Sequence, residues 1–298
     1  MPENSLTRLM ENGAGQLAAQ DPALFALLEQ ETERQKHELM LVASSSIADP
    51  AVLFCEGMAT TNVSTEGYPG RRYHAGCDVV DEIERLAVAR AKSAFGAAYA
   101  NVQPHSGTTA NQIVMFSLLA PGARILGLDL QAGGHLSHGA KASVSGNYFD
   151  ALAYGVDAAG FINYDEVAAL ARQHRPAMII CGGSAYPRAL DFARFRAIAD
   201  EVGAWLLADI SHIAGLVVAG EHPSPIHEAH ITTTSTYKQL FGPRGGLILC
   251  GRDYDRPVPG TNRTLQQQLQ RALFPYFQGT PNLSAIAAKA RAFAFVQE

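Results

Sequence analysis

No stretch of this chain holds the ~20 consecutive apolar residues that a membrane-spanning helix needs, so a helical membrane protein is not expected. Basic clusters are missing too. The 23 Lys and Arg stand against 28 Asp and Glu, a net charge of −5, which argues against a nucleic-acid surface. The four cysteines, Cys55, Cys77, Cys181 and Cys250, form no C-x-x-C pair, so free thiols in a reducing compartment are expected. The N-terminus lacks a basic segment followed by an apolar core, the mark of a signal peptide. These absences predict a soluble, cytoplasmic protein. Internal repeats, charge blocks and low-complexity linkers are also lacking, so no domain boundary stands out inside the chain.

What is present is 47% apolar residues in 298, enough for a sizeable core. An Asp-Pro start at residue 21 opens a helical pattern running to about Leu41, within a helical N-terminal arm over 1–42. Residues 43–77, rich in Ser, Thr, Gly and Pro, read as irregular. An amphipathic helix then ends at Gly96, and a second begins at the glycine turn near Ser106. "RILGLDL", "AMIICGG" and "WLLADI" read as buried strands, with helices around "YDEVAALARQH" and "DFARFRAIADEVG" between them. Such alternation predicts an α/β fold with a mostly parallel sheet covered by helices. Ligands on such sheets sit beyond the carboxyl ends of the strands. That rule places His105 to Thr109, Ser184, Asp209 to His212 and Lys238 on one rim. The last helix, "NLSAIAAKARAFAFVQE", has no glycine cap or closing loop, which suggests a truncated sequence.

Five small hydroxyl residues, Thr232 to Thr236, lead into Tyr237 and Lys238, a composition that suits a tight polar pocket. Burial there lowers a lysine pKa from about 10.4 toward about 7–8, giving a neutral amine able to attack a carbonyl. Pyridoxal 5'-phosphate is the natural carbonyl. It needs a phosphate site, a carboxylate for its pyridine nitrogen and a group against its ring. Ser106, Gly107 and Thr108 at a helix start suit the phosphate. Asp209, ending a buried strand, needs a cationic partner that a protonated pyridine would supply. His135 and His138 in "AGGHLSHG" could form a metal pair, but no third ligand is evident from the sequence, and no metal site is expected.

The segments "EGYPGRRYHAGC", "YANVQPHSGTTAN", "GGHLSHG", "SAYPRALDF", "ADISHIAGLVVAG" and "YKQLFGPRGGLIL" resemble, in order and spacing, the serine hydroxymethyltransferases. The likeness runs from about Glu29 to Ala292. It implies a fold-type I pyridoxal-phosphate transferase, with 43–298 as the cofactor-binding large domain and a C-terminal small domain absent. It also implies a role for each matching residue. Lys238 would join the cofactor's aldehyde, Asp209 would face the pyridine nitrogen and His135 would stack on the ring. Ser184 and His212 would bind the phenolic oxygen. Ser106, Gly107 and Thr108 would hold the phosphate, with Gly279 reaching over from a second subunit. Glu66 matches an acid–base carboxylate and Tyr73 a substrate-site tyrosine, while Arg72 and Arg244 match arginines that brace the site. The implied partners are a small amino acid, tetrahydrofolate as co-substrate, and a second copy of the chain in a homodimer or dimer of dimers.

The sequence departs from that pattern around the substrate. Ser44-Ser45-Ser46 stands where relatives have Ser-Glu-Asn. Ser64 and His74 replace tyrosines, Tyr237 replaces the histidine before the lysine, and Gly279-Thr280 replaces a glycine pair. A reshaped pocket suggests serine or α-methylserine as hydroxymethyl donor, with glycine or alanine as product. A threonine transaldolase or aldolase is an alternative, as is a cofactor-holding subunit that needs a partner.

Overall fold

The computed structural model describes residues 5–298. Helices α1 (Ser5–Gln20) and α2 (Pro22–His37) come first and bury no residue of their own. Asp21 caps α2, its side chain accepting from the Leu24 amide at 3.1 Å. The helix stops at His37, short of Leu41, because Glu38 is already extended. Residues 43–77 are less irregular than expected. They hold α3 (Pro50–Glu56) and a two-strand hairpin of β1 (Gly67–Tyr68) and β2 (Arg71–Arg72).

The body follows in chain order: α4 (Asp78–Phe95), β3 (Tyr99–Asn101), α5 (Gly107–Leu118), β4 (Arg124–Leu128), α6 (Val144–Tyr148), β5 (Asp150–Tyr154), α7 (Tyr164–His174), β6 (Met178–Gly182), α8 (Phe192–Val202), β7 (Trp205–Asp209), α9 (Ala214–Val218), β8 (Ile231–Ser235), β9 (Gly246–Cys250), α10 (Leu265–Arg271) and α11 (Leu283–Phe295). Strands β3 to β9 form one sheet in the order β3-β9-β8-β7-β6-β4-β5. Only β9 runs against the rest. The predicted α/β fold, a mostly parallel sheet under helices, is what the chain adopts.

Alternate strand residues face opposite layers. Ile179 and Cys181 join Phe195, Ala91 and Phe293 on one side. Met178 and Ile180 meet Ile113, Leu265 and Leu269 on the other. The hydroxyl run that the sequence suggested as a pocket falls largely on the interior strand β8, with Thr232, Thr233 and Thr234 buried in the sheet. "AGLVVAG", apolar enough for a strand, contains α9 instead.

Arg72, expected to brace the site, fastens the hairpin to α4. Its guanidinium donates to Asp81 at 2.8 Å, Glu84 at 2.6 Å and the Thr65 and Gly67 carbonyls. Helix α4 ends at Gly96, whose φ of +64° is the left-handed cap. A Cβ there would meet nothing within 4 Å, so Gly96→Ala isolates backbone strain. A loss of about 1 kcal/mol is expected, read by urea unfolding.

Candidate active site

Residues just past the carboxyl ends of β3, β4, β6, β7 and β8 enclose one cleft. Its walls are Ser106, Gly107, Thr108, His135, Gly183, Ser184, Asp209, Ser211, His212, Ser235, Tyr237 and Lys238. The topology explains the convergence, because parallel strands present all their carboxyl ends to the same edge.

Lys238 is 6% exposed, and its Nζ donates to His212 Nε2 at 2.8 Å. Burial pulls the pKa of this amine down, opposed by the charge of Asp209. The same burial, with Lys238 beside it, pushes His212 down to about 4. His135 is lowered by burial as well. The cleft therefore holds neutral imidazoles near neutral pH, able to accept a hydrogen bond from the lysine.

Asp209 closes β7. Its Oδ1 accepts from the Ser211 amide at 3.0 Å and the Ser211 hydroxyl at 2.6 Å. Its Oδ2 accepts from Asn111 Nδ2 at 2.7 Å and His138 Nε2 at 3.0 Å. Burial alone would raise the carboxyl, but the bonds from His138, Ser211 and Asn111 hold it well below the usual range. Asn111 is itself oriented, since its Oδ1 accepts from Thr233 Oγ1 at 2.6 Å and its Nδ2 also donates to Ser137 Oγ. Ser137 Oγ in turn lies 2.7 Å from His135 Nδ1. One polar chain thus sets both the carboxylate and the imidazole that flank the cleft.

The start of α5 leaves hydrogen-bond donors facing the cleft. Ser106 caps α5 by accepting from the Thr109 amide at 3.0 Å, and the first turn leaves backbone N–H groups without helical partners. Gly107 is crowded, because an added Cβ would stand 3.2 Å from the Ser235 nitrogen and 3.3 Å from Ser211 Oγ. The Ser235 hydroxyl lines the cleft, is buried and has no hydrogen-bond partner. A buried hydroxyl without a partner, beside a helix N-terminus, fits a phosphate oxygen.

His135, His138 and Asp209 each offer an atom within 4.8 Å of the others, so the fold supplies the third ligand that the sequence did not reveal. Both Asp209 oxygens already take two donors apiece, however. An ion there would compete with Asn111 and Ser211, and the set reads as a hydrogen-bonded triad.

The remaining sequence candidates lie elsewhere on this chain. Glu66 Oε2 stands 3.1 Å from His74 Nε2, and a Cβ on Gly279 would be 3.4 Å from Glu66 Oε1. Tyr73 meets Phe274 edge-on at 5.3 Å. Ser64 is exposed and Ser44 lies half-buried in a turn. None of these lines the Lys238 cleft, although Tyr237 does. Arg244 is exposed and stacks 4.1 Å from the Tyr237 ring centroid. Asn111 and Ser137 carry no expectation from the sequence, while Ser211 falls within the Asp209–His212 rim and Ser235 within the hydroxyl run without a role of their own. Only Ser211, two residues after an aspartate at a strand end, carries a local signal, the Asx-type turn.

Comparison with known proteins agrees with this geometry. The serine hydroxymethyltransferase family profile matches residues 17–298. The serine hydroxymethyltransferase of Synechococcus sp. is 53% identical over 278 residues, covering 93% of this chain and 62% of that protein. Those of Sphingopyxis alaskensis and Chromohalobacter salexigens are 52% and 51% identical, also over 93% of this chain, and over 62% and 64% of their own lengths. The chain thus spans a little over three-fifths of the curated relatives it matches. With the matched segment covering nearly all of its residues, the chain belongs to the serine hydroxymethyltransferase family.

Proposed function

We propose that this protein is a pyridoxal-phosphate transferase that moves the hydroxymethyl group of serine, or of α-methylserine, by cleaving the Cα–Cβ bond. The observation that carries the reading is the meeting, in one cleft, of Lys238, Asp209 and the Ser106 helix turn. Pyridoxal phosphate, when bound, supplies the electron sink for the cleaved bond. In this reading Ser106, Gly107, Thr108 and Ser235 hold its phosphate, Asp209 faces its pyridine nitrogen and His135 its ring. Ser184 and His212 serve its phenolic oxygen. Lys238 Nζ is the amine for its aldehyde, and burial keeps that amine close to the neutral form it needs.

Glu66 is the proposed proton carrier at the β-hydroxyl, with Tyr73, His74, Ser64, Ser44 and Arg244 shaping the substrate side and Tyr237 close to the reacting amine. Because Glu66, Tyr73, His74 and Gly279 stand away from the cleft, the reading assigns them to the cleft of a second copy in a homodimer. The exposed leucines of the N-terminal arm, among them Leu9, Leu27 and Leu28, offer apolar surface for the same contact. Residues 43–298 then form the large cofactor-binding domain, and 1–42 the arm, of which residues 1–4 lie outside the described residues. Among the described residues no helix is long and apolar enough to cross a membrane. Cys55, Cys77, Cys181 and Cys250 are all free, which goes with a cytoplasmic location. The transaldolase and cofactor-holding alternatives gain no support from the three relatives compared above, each named a serine hydroxymethyltransferase.

The test is a comparison of serine, α-methylserine and threonine as donors, with and without tetrahydrofolate, on the pyridoxal-phosphate-loaded chain. Tetrahydrofolate-dependent release of glycine from serine, or of alanine from α-methylserine, is the expected result. Turnover of threonine alone would replace this reading with an aldolase.

A further inference from the structure

Helix α11 carries an apolar stripe of Ile286, Ala290 and Phe293 toward the core, and Lys289 stands in that stripe, 2% exposed. Burial pulls its pKa down to about 7, with Glu84 opposing the shift. An apolar side chain would sit there at less electrostatic cost. What the amine gains is three carbonyl acceptors. Its Nζ donates to Val102 O at 2.5 Å, Gly246 O at 3.0 Å and Pro104 O at 3.1 Å. An ammonium has three N–H donors, and all three are used.

Those carbonyls belong to two segments that frame the cleft. Val102 and Pro104 lie on the connection from β3 to Ser106. Gly246 opens β9, directly after the Gly-Pro-Arg-Gly turn that follows Lys238. The two segments touch elsewhere as well. The Gly246 amide donates to Pro104 O at 2.8 Å, while within the second segment the Thr236 amide, two residues before Lys238, donates to Gly245 O at 3.1 Å. A Cβ on Gly246 would overlap the Ser106 carbonyl. The backbone of the two segments is therefore drawn together at this point, and Lys289 donates to both of them.

We propose that Lys289 is a positioning residue, whose amine fixes the spacing between the Ser106 helix turn and the loop bearing Lys238. The proposal rests on the cofactor reading above. A ligand that must reach both anchors at once feels that spacing. A ligand that uses only the lysine end does not. Pyridoxal 5'-phosphate is the first kind and pyridoxal, which lacks the phosphate, the second.

The experiment measures the dissociation constants of both compounds for the wild-type chain and for Lys289→Met, with circular dichroism and thermal melting as controls. Lys289→Met is expected to weaken pyridoxal 5'-phosphate by about tenfold while leaving pyridoxal within about threefold. Gly245→Ala provides a second route, since its methyl would stand 2.8 Å from Lys289 Nζ and push the amine off its carbonyls without removing it. That variant should move the ratio of the two constants in the same direction, and it decides the matter if Lys289→Met does not fold. An unchanged ratio in folded variants, whatever happens to the melting temperature, overturns the positioning role alone. If the wild-type chain takes up neither compound, the cofactor reading fails and the positioning role fails with it.

Discussion

Lys238→Ala is expected to abolish covalent uptake of pyridoxal 5'-phosphate. The wild-type chain should acquire a visible absorbance band on mixing with the cofactor, and borohydride should fix the label on a peptide containing Lys238. The variant should show neither. The argument is geometric before it is chemical. Among the cleft-lining residues Lys238 is the one primary amine, and its Nζ meets the half-buried His212 imidazole. Lys289 also has a lowered pKa but spends its donors on three backbone carbonyls, so it offers no lone pair to the cleft. Burial favours the uncharged lysine, and His212, itself pushed down to about 4, stays neutral near pH 7 and can accept the amine's hydrogen bond. Substitution of Lys238 removes the nucleophile while leaving Asp209 and the Ser106 turn in place. Some noncovalent cofactor binding should therefore persist, detectable as quenching of intrinsic fluorescence. A variant that still yields a borohydride-stable label elsewhere would show that another amine carries the cofactor.

Much of this scaffold could be read from residue order, and the exceptions have physical causes. Helix α7 was recognisable over its whole length because "YDEVAALARQH" repeats its apolar positions at helical spacing, and α4 because Gly96 marks its end. The rim of the cleft followed from the placement of each candidate after a strand. Strand β3 was missed because three residues cannot display a period. Strand β5 was missed because it lies at the sheet edge, with mixed exposure along its length. The hydroxyl run of β8 misled in a different way. Threonine fits a buried strand as well as a polar pocket, and only Ser235 of that strand reaches the cleft. Asn111 and Lys289 gave no local sign at all. Each is a buried polar residue on a largely apolar helix, and its meaning lies in partners 26 to 187 positions away. Glu66 and His74 illustrate the same limit from the other side. Their sequence motif is recognisable, but their position relative to Lys238 depends on chain geometry that no motif encodes.

Asp209→Asn is expected to lower turnover by about 10²–10³-fold, the usual cost of deleting one preorganised electrostatic partner, with a smaller effect on folding. The substitution keeps the shape and removes the charge. Four donors converge on the carboxylate, from Ser211 twice and from Asn111 and His138 once each. An amide can satisfy only those that meet its oxygen. Its nitrogen must face either the Ser211 pair or the Asn111–His138 pair, and hydrogen then opposes hydrogen. His138 can relieve one clash by moving its proton to Nδ1, but Nδ1 is buried without a partner, so the relief is incomplete. Removing the charge also removes what would keep a facing pyridine nitrogen protonated, and turnover should suffer most for that reason. The pH dependence of stability separates the two effects. The pKa of Asp209 is depressed in the folded chain, so its stabilising contribution is complete above the unfolded value of about 3.9 and is lost as pH falls below it. The gap in melting temperature between wild type and Asp209→Asn should therefore be widest near neutral pH and narrow toward pH 3, while the loss of turnover at neutral pH stays far larger than the stability gap can explain. Equal turnover in the two proteins would mean that this carboxylate faces no reacting group, and that its four donors serve the fold alone.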